Sequence, residues 1–126
     1  MTLKIVFLFA AFAGALGVVL GAFGAHALRG SIEPRLMETF QTAVQYQLIH
    51  ALVLLMVSLT MGWLGQSLSF EISAYAFMAG VILFSGSLYG MVLTDIEWLG
   101  PVTPLCGLCL VVGWLALLVG GFRQIA

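Results

Sequence analysis

The chain has 126 residues, of which 63% are apolar and 7% charged, with a formal net charge of −1. An ordinary soluble domain carries about 25% charged residues, so there are too few ionisable groups here to coat a soluble globule. The four basic residues form no stripe that could track phosphates, which excludes nucleic acid as a partner. The two cysteines cannot build a disulfide framework.

Residues 5–25 contain no charged or strongly polar side chain, enough to cross a hydrocarbon core of ~30 Å at 1.5 Å per residue. Lys4 and Ala25-His26-Ala27 also fit the ends of a cleaved leader. The apolar run exceeds the ~7–15 residues of such leaders, so a retained first helix over residues 4–28 is expected. Residues 29–47 are the only extended polar stretch. Ser31 is a candidate cap there and Pro34 a first-turn proline. Helix two then covers residues 36–64, entering lipid between Ala43 and Leu48 and leaving near Trp63. After a turn at residues 65–70, helix three covers residues 72–93. Thr103-Pro104 reads as a capping hydroxyl followed by a first-position proline, opening helix four over residues 104–122. Backbone groups in lipid must pair within their own segment. The expected fold is therefore all-α, one domain over residues 1–126. It is a four-transmembrane-helix bundle with short connections and a polar, partly amphipathic linker between helices one and two.

Four spans put both termini on one side, with Lys4, Gln66, Glu71, Arg123 and Gln124. The other side receives His26, Arg29, Glu33, Arg35, Glu38, Asp95 and Glu97. Lysine plus arginine counts equally on the two sides, so the positive-inside rule is nearly silent. The N-terminal amine tips the expectation toward cytoplasmic termini.

Fifteen glycines against three prolines suit close-packed membrane helices. Gly14, Gly17, Gly21 and Gly24 fall on one stripe of helix one. Gly86 and Gly90 repeat the G-x-x-x-G spacing in helix three. Both sets are expected at helix-packing faces, within the molecule or between copies in a homo-oligomer. Trp63 and Tyr75 are expected at one membrane interface and Tyr89 and Trp98 at the other, with Trp114 filling the core.

Polar groups inside a membrane helix are costly and usually face the bundle interior or water. In helix two, Thr42, Tyr46 and His50 recur every four residues, Gln41 and Gln45 flank them, and Gln47 pairs with His50 at i, i+3. With His26 and Arg29 they make the candidate polar site, expected to face inward near the helix 1–2 connection. Interhelical hydrogen bonding is the structural account of this group, and a ligand or proton site is the functional one. His26 and His50 near one face raise the question of a haem. Two histidines with no carboxylate at ligand spacing are a poor metal set, so no metal and no cofactor is expected.

Cys106-Gly107-Leu108-Cys109 is a C-x-x-C in the first turns of helix four, where the helix dipole favours a thiolate. Quinone-linked thiol oxidoreductases place such pairs in small membrane bundles, but they exchange with a further cysteine pair, and this chain has no other cysteine. Packing of two small residues is the plainer account.

Gly21-Ala22-Phe23-Gly24-Ala25-His26-Ala27-Leu28, Phe40-Gln41-Thr42-Ala43 and Tyr46-Gln47-Leu48-Ile49-His50-Ala51 carry a resemblance. So do Gly86-Ser87-Leu88-Tyr89, Gly100-Pro101-Val102-Thr103-Pro104 and Gly113-Trp114. Together they resemble the YgdD family of small bacterial inner-membrane proteins, to which the eukaryotic transmembrane-protein-256 group is related. The resemblance implies a multi-pass protein of the inner (plasma) membrane and brings no established activity. Glycine is usual in that family's pattern where Cys106 stands here, which counts against the thiol reading.

No nucleophile–base pair or phosphate loop supports catalysis. The leading expectation is a non-enzymatic accessory or lipid-associated membrane module, partnered by membrane lipid and by a homo-oligomer or larger membrane complex. The alternatives are a thiol oxidoreductase using Cys106 and Cys109, or a small oligomeric transporter or channel subunit.

Overall fold

The computed structural model describes residues 2–125. Four helices account for nearly all of them: α1 Thr2–Leu28, α2 Pro34–Leu64, α3 Leu68–Thr94 and α4 Glu97–Gln124, each long and apolar enough to cross a membrane. Three short connections join them, at residues 29–33, 65–67 and 95–96. Gly30 (φ +82°), Gly65 (φ +93°) and Asp95 (φ +53°) supply their left-handed backbone, a region glycine enters without a Cβ clash. Arg35 reaches Glu97 at 3.7 Å, which ties the α1–α2 connection to the α3–α4 connection on one face. At the opposite end Leu3 packs by Gly62, and Phe70 by Gly120.

α1 lies along α2 and α4 lies along α3, while α2 and α3 join the two pairs through the centre. The core between them is Val6, Ala10, Leu54, Val57, Met61, Phe70, Ala74, Phe77 and Leu110. A smaller cluster of Phe40, Val44 and Val92 sits nearer the polar face.

The helix starts differ from expectation for local reasons. Pro34 opens α2, but Ser31 does not cap it; its hydroxyl donates to the Ala27 carbonyl instead. α3 begins at Leu68 because the Ser67 hydroxyl accepts from the Phe70 N–H. A 3₁₀ turn over Glu97–Leu99 leads into α4, so its α-helical part starts at Val102. Thr103 is therefore no cap, and its hydroxyl donates to the Leu99 carbonyl. Pro104 is tolerated because N–H groups in a first turn have no intrahelical partner.

Glycine governs how closely the helices meet. A Cβ at Gly17 would come 2.7 Å from Leu48, one at Gly21 3.4 Å from Val44, and one at Gly24 would overlap the Phe40 ring. Helix α2 thus packs on the α1 stripe at Gly17, Gly21 and Gly24. Gly14 is looser, 3.9 Å from Ala51. Within the chain the Gly86–Gly90 face is not a close seam: nothing from another part of the protein lies within 4 Å of a Cβ at Gly86, and Gly90 makes only an ordinary 3.5 Å contact with Leu99. The α3–α4 seam runs instead through Gly80 against Leu110, Gly113 against Phe77 and Gly120 against Phe70.

Two segments depart from the α-helix. The last turn of α1, Gly24–Leu28, and the middle of α3, Val81–Ser85, are π-helical. Such bulges accommodate one extra residue and occur often at functional sites.

Candidate functional site

The interior polar groups lie on two levels. At the first, the Gln47 amide crosses from α2 to both neighbours: Nε2 donates to the Ala13 carbonyl at 2.8 Å, and Oε1 accepts from the Tyr89 hydroxyl at 2.7 Å. Because a carbonyl only accepts, this pairing fixes which end of the amide is which. Ser85, at the end of the α3 π-turn, donates to the Ala43 carbonyl at 2.9 Å. Gln47 and Ser85 are both buried, and polar groups held in lipid need such partners.

At the second level His50 is buried. Its Nε2 accepts from Trp114 Nε1 at 3.3 Å and its Nδ1 lies 2.8 Å from the Tyr46 carbonyl. Phe77 packs edge-on to Trp114 and tilted against the imidazole. Tyr46 stacks near the imidazole and leans on Phe84, with ring centroids 4.6 Å apart.

The expected inward-facing group therefore divides. His50 lies inside; His26, Arg29, Gln41 and Gln45 are exposed. Tyr46 sits at the boundary, 39% exposed, and Thr42 is half-buried with its hydroxyl turned back to the Glu38 carbonyl. His26 lies on the π-turn at the polar end of α1, whose buried member is Gly24, and it takes no part in the His50 cluster. No group of three or more metal-ligating side chains gathers among the described residues. Tyr89 points inward rather than marking an interface. Trp114 does not fill the core: it is 47% exposed at the bundle surface, and only its indole N–H reaches in to His50. Cys106 is buried, Cys109 half-buried, and both are free thiols.

The exposed polar residues are not scattered. Gln41 and Gln45, one turn apart on α2, rim a groove of about 290 Å³ between α1 and α2, whose floor is Gly21, Gly24, Phe40, Val44 and Leu48. The groove runs beside the seam where Phe40 and Val44 pack against Gly24 and Gly21. A second groove, of about 190 Å³, opens between α1 and α3, with Gln47, Ser85 and Tyr89 among its lining.

Residues 20–107 match the family described as Protein of unknown function (DUF423). The chain is 36% identical to the UPF0382 membrane protein YwdK of Bacillus subtilis, over 98% of this chain and all of that protein. It is 37% identical to the UPF0382 inner membrane protein YgdD of Escherichia coli, over 98% of this chain and 93% of that one. A UPF0382 membrane protein of Staphylococcus aureus is 36% identical over 96% and 98% of the two chains. No solved structure matches. Four membrane-length helices and full-length similarity to these proteins place the chain in the DUF423 family of multi-pass membrane proteins.

Proposed function

We propose that the chain is a non-enzymatic module of the inner (plasma) membrane that holds a membrane lipid in the α1–α2 groove. The supporting observation is where that groove lies. With 31 residues, α2 rises about 46 Å, against ~30 Å of hydrocarbon. With Trp63 at the far boundary, the first ten or so residues of α2 stand beyond the hydrocarbon. Gln41 and Gln45 then fall where lipid headgroups meet their chains. Two amides at the rim offer donors and acceptors to ester and phosphate oxygens. The floor of Gly21, Gly24, Phe40, Val44 and Leu48 offers an apolar seat to an acyl chain. Arg29, exposed at the end of the α1 π-turn, makes no ion pair among the described residues and supplies a cation at headgroup level.

Native mass spectrometry from mild detergent tests this, and reads stoichiometry in the same spectrum. The wild-type protein should retain phospholipid. Gln41→Leu with Gln45→Leu, both at exposed positions, should lose most of it while the melting temperature holds. An unchanged lipid load in that double variant would remove the proposal.

A further inference from the structure

The α1–α3 groove differs from the first in its chemistry. It is walled by Phe9, Phe12 and Tyr89, and its polar lining, Gln47 and Ser85, is buried inside the bundle. Gln47 spends one amide N–H on the Ala13 carbonyl. Among the described residues its second N–H makes no hydrogen bond. An orphaned donor at membrane depth calls for an acceptor.

Two features of α3 keep this space open. The π-turn Val81–Ser85 places Val81, Ile82 and Ser85 along the groove. Gly86 follows at once, also lining it, and no protein atom lies within 4 Å of where its Cβ would be. Glycine is the poorest helix former after proline, and no neighbouring helix needs room at Gly86. Gly86 is exposed, and the space it leaves adjoins the groove it lines.

We propose that this groove binds the ring head of a membrane-dissolved quinone, with a ring carbonyl oxygen accepting from the second Gln47 N–H, while the Tyr89 hydroxyl, whose proton goes to Gln47 Oε1 at 2.7 Å, holds the amide in place. A methylene chain would leave the Gln47 N–H unpaired. A charged headgroup would find no countercharge, because no ionisable side chain other than Tyr89 lines the groove. A flat, neutral, lipid-soluble acceptor meets both conditions, and the aromatic walls suit a ring. The volume of about 190 Å³ is below the ~300–1,000 Å³ of pockets that enclose a whole drug-sized ligand. The groove therefore takes the head while the tail stays in lipid. This site is separate from the α1–α2 groove and stands or falls independently of it.

The test uses the full chain in phosphatidylcholine nanodiscs with a short-tailed photoreactive benzoquinone. Labelling should fall on residues 81–89 and be competed by unlabelled benzoquinone. Gly86→Leu, which fills open space, should cut labelling at least ten-fold without lowering the melting temperature, and Tyr89→Phe should cut it several-fold. Gly86→Ala, adding one methyl to the same space, should reduce labelling less and serves should the leucine variant fold poorly. Equal labelling of wild type and the Gly86 variants would overturn the assignment. So would labelling of the same segment by a photoreactive acyl phospholipid that excess benzoquinone does not displace, since that would make the occupant an acyl chain.

Discussion

Trp114 Nε1 and His50 Nε2 meet at 3.3 Å, and this contact decides the state of the imidazole. Indole N–H only donates, so His50 Nε2 must accept and carry no proton. The ring proton is then on Nδ1, which donates to the Tyr46 carbonyl at 2.8 Å. His50 is a neutral Nδ1–H tautomer with both nitrogens engaged, linking α2 to a half-exposed tryptophan on α4. Nitrogen-15 spectra of His50 should show a protonated Nδ1 and an unprotonated Nε2; the reverse pattern would break the assignment.

The same bond has a measurable strength. Trp114→Phe removes the donor and His50→Leu removes the acceptor. The leucine change should cost about 1–2 kcal/mol, in the range of interhelical hydrogen bonds in model peptides. A double-mutant cycle should return a coupling of about 0.6 kcal/mol, the average of such cycles within a membrane bundle, and no more than about 1.7 kcal/mol. Unfolding in mild detergent reads it, and additive effects would show that the two side chains act separately.

Glycine substitutions should sort by seam. Gly113→Ala puts a methyl 2.6 Å from the Phe77 ring, and overpacking of that kind costs about 1–3 kcal/mol. Gly86→Ala meets nothing within 4 Å and should stabilise by up to about 1 kcal/mol through helix propensity. Thermal unfolding of the two variants side by side checks both signs.

The Arg35–Glu97 pair at 3.7 Å requires both polar connections on one side. In a background with Cys106→Ala and Cys109→Ala, single cysteines introduced at Glu33 and Asp95 should react with a membrane-impermeant reagent from the same side. Labelling from opposite sides would contradict the four-span topology.

That cysteine-free background is itself informative. A packing role for Cys106 and Cys109 leaves the double alanine variant folded, at a cost of about 1 kcal/mol. The wild-type thiols should alkylate slowly near neutral pH and show no redox-dependent mobility shift. Fast alkylation of Cys106 would instead favour the thiol-exchange reading.

The four spans were legible because uncharged runs of membrane length are hard to read in any other way, and Pro34 marked the start of α2. The α1 glycine stripe was legible from its spacing alone. The interior polar residues were harder. Thr42, Tyr46 and His50 recur every four residues, but at 3.6 residues per turn such a row drifts by roughly 40° per step. The buried face of α2 instead follows Phe40, Ala43, Gln47, His50, Leu54, Val57 and Met61, alternating threes and fours. His50 belongs to both rows, whereas Gln47, one position past Tyr46, is the amide that crosses the bundle. The paired Gln47–His50 spacing was the available signal. The α3–α4 glycine seam was missed because Gly80, Gly113 and Gly120 share no short motif; only the tertiary pairing with Phe77, Phe70 and Leu110 relates them. Neither π-turn has a sequence signature of its own.

The π-turn in α3 also makes that helix intolerant of a change in length. Removing one residue from Val81–Ser85 would restore a plain α-helix, but would rotate everything beyond it by roughly 100° and shift it by about 1.5 Å. The half carrying Gly86 and Tyr89 would swing away from Gln47, while Phe70 and Phe77 kept their places against α4. The extra residue thus sets the phase between two halves of one helix. The half before it is keyed to the α4 glycines and the half after it to the α2 amide, so relatives that keep both contacts should show neither insertions nor deletions between Phe77 and Tyr89.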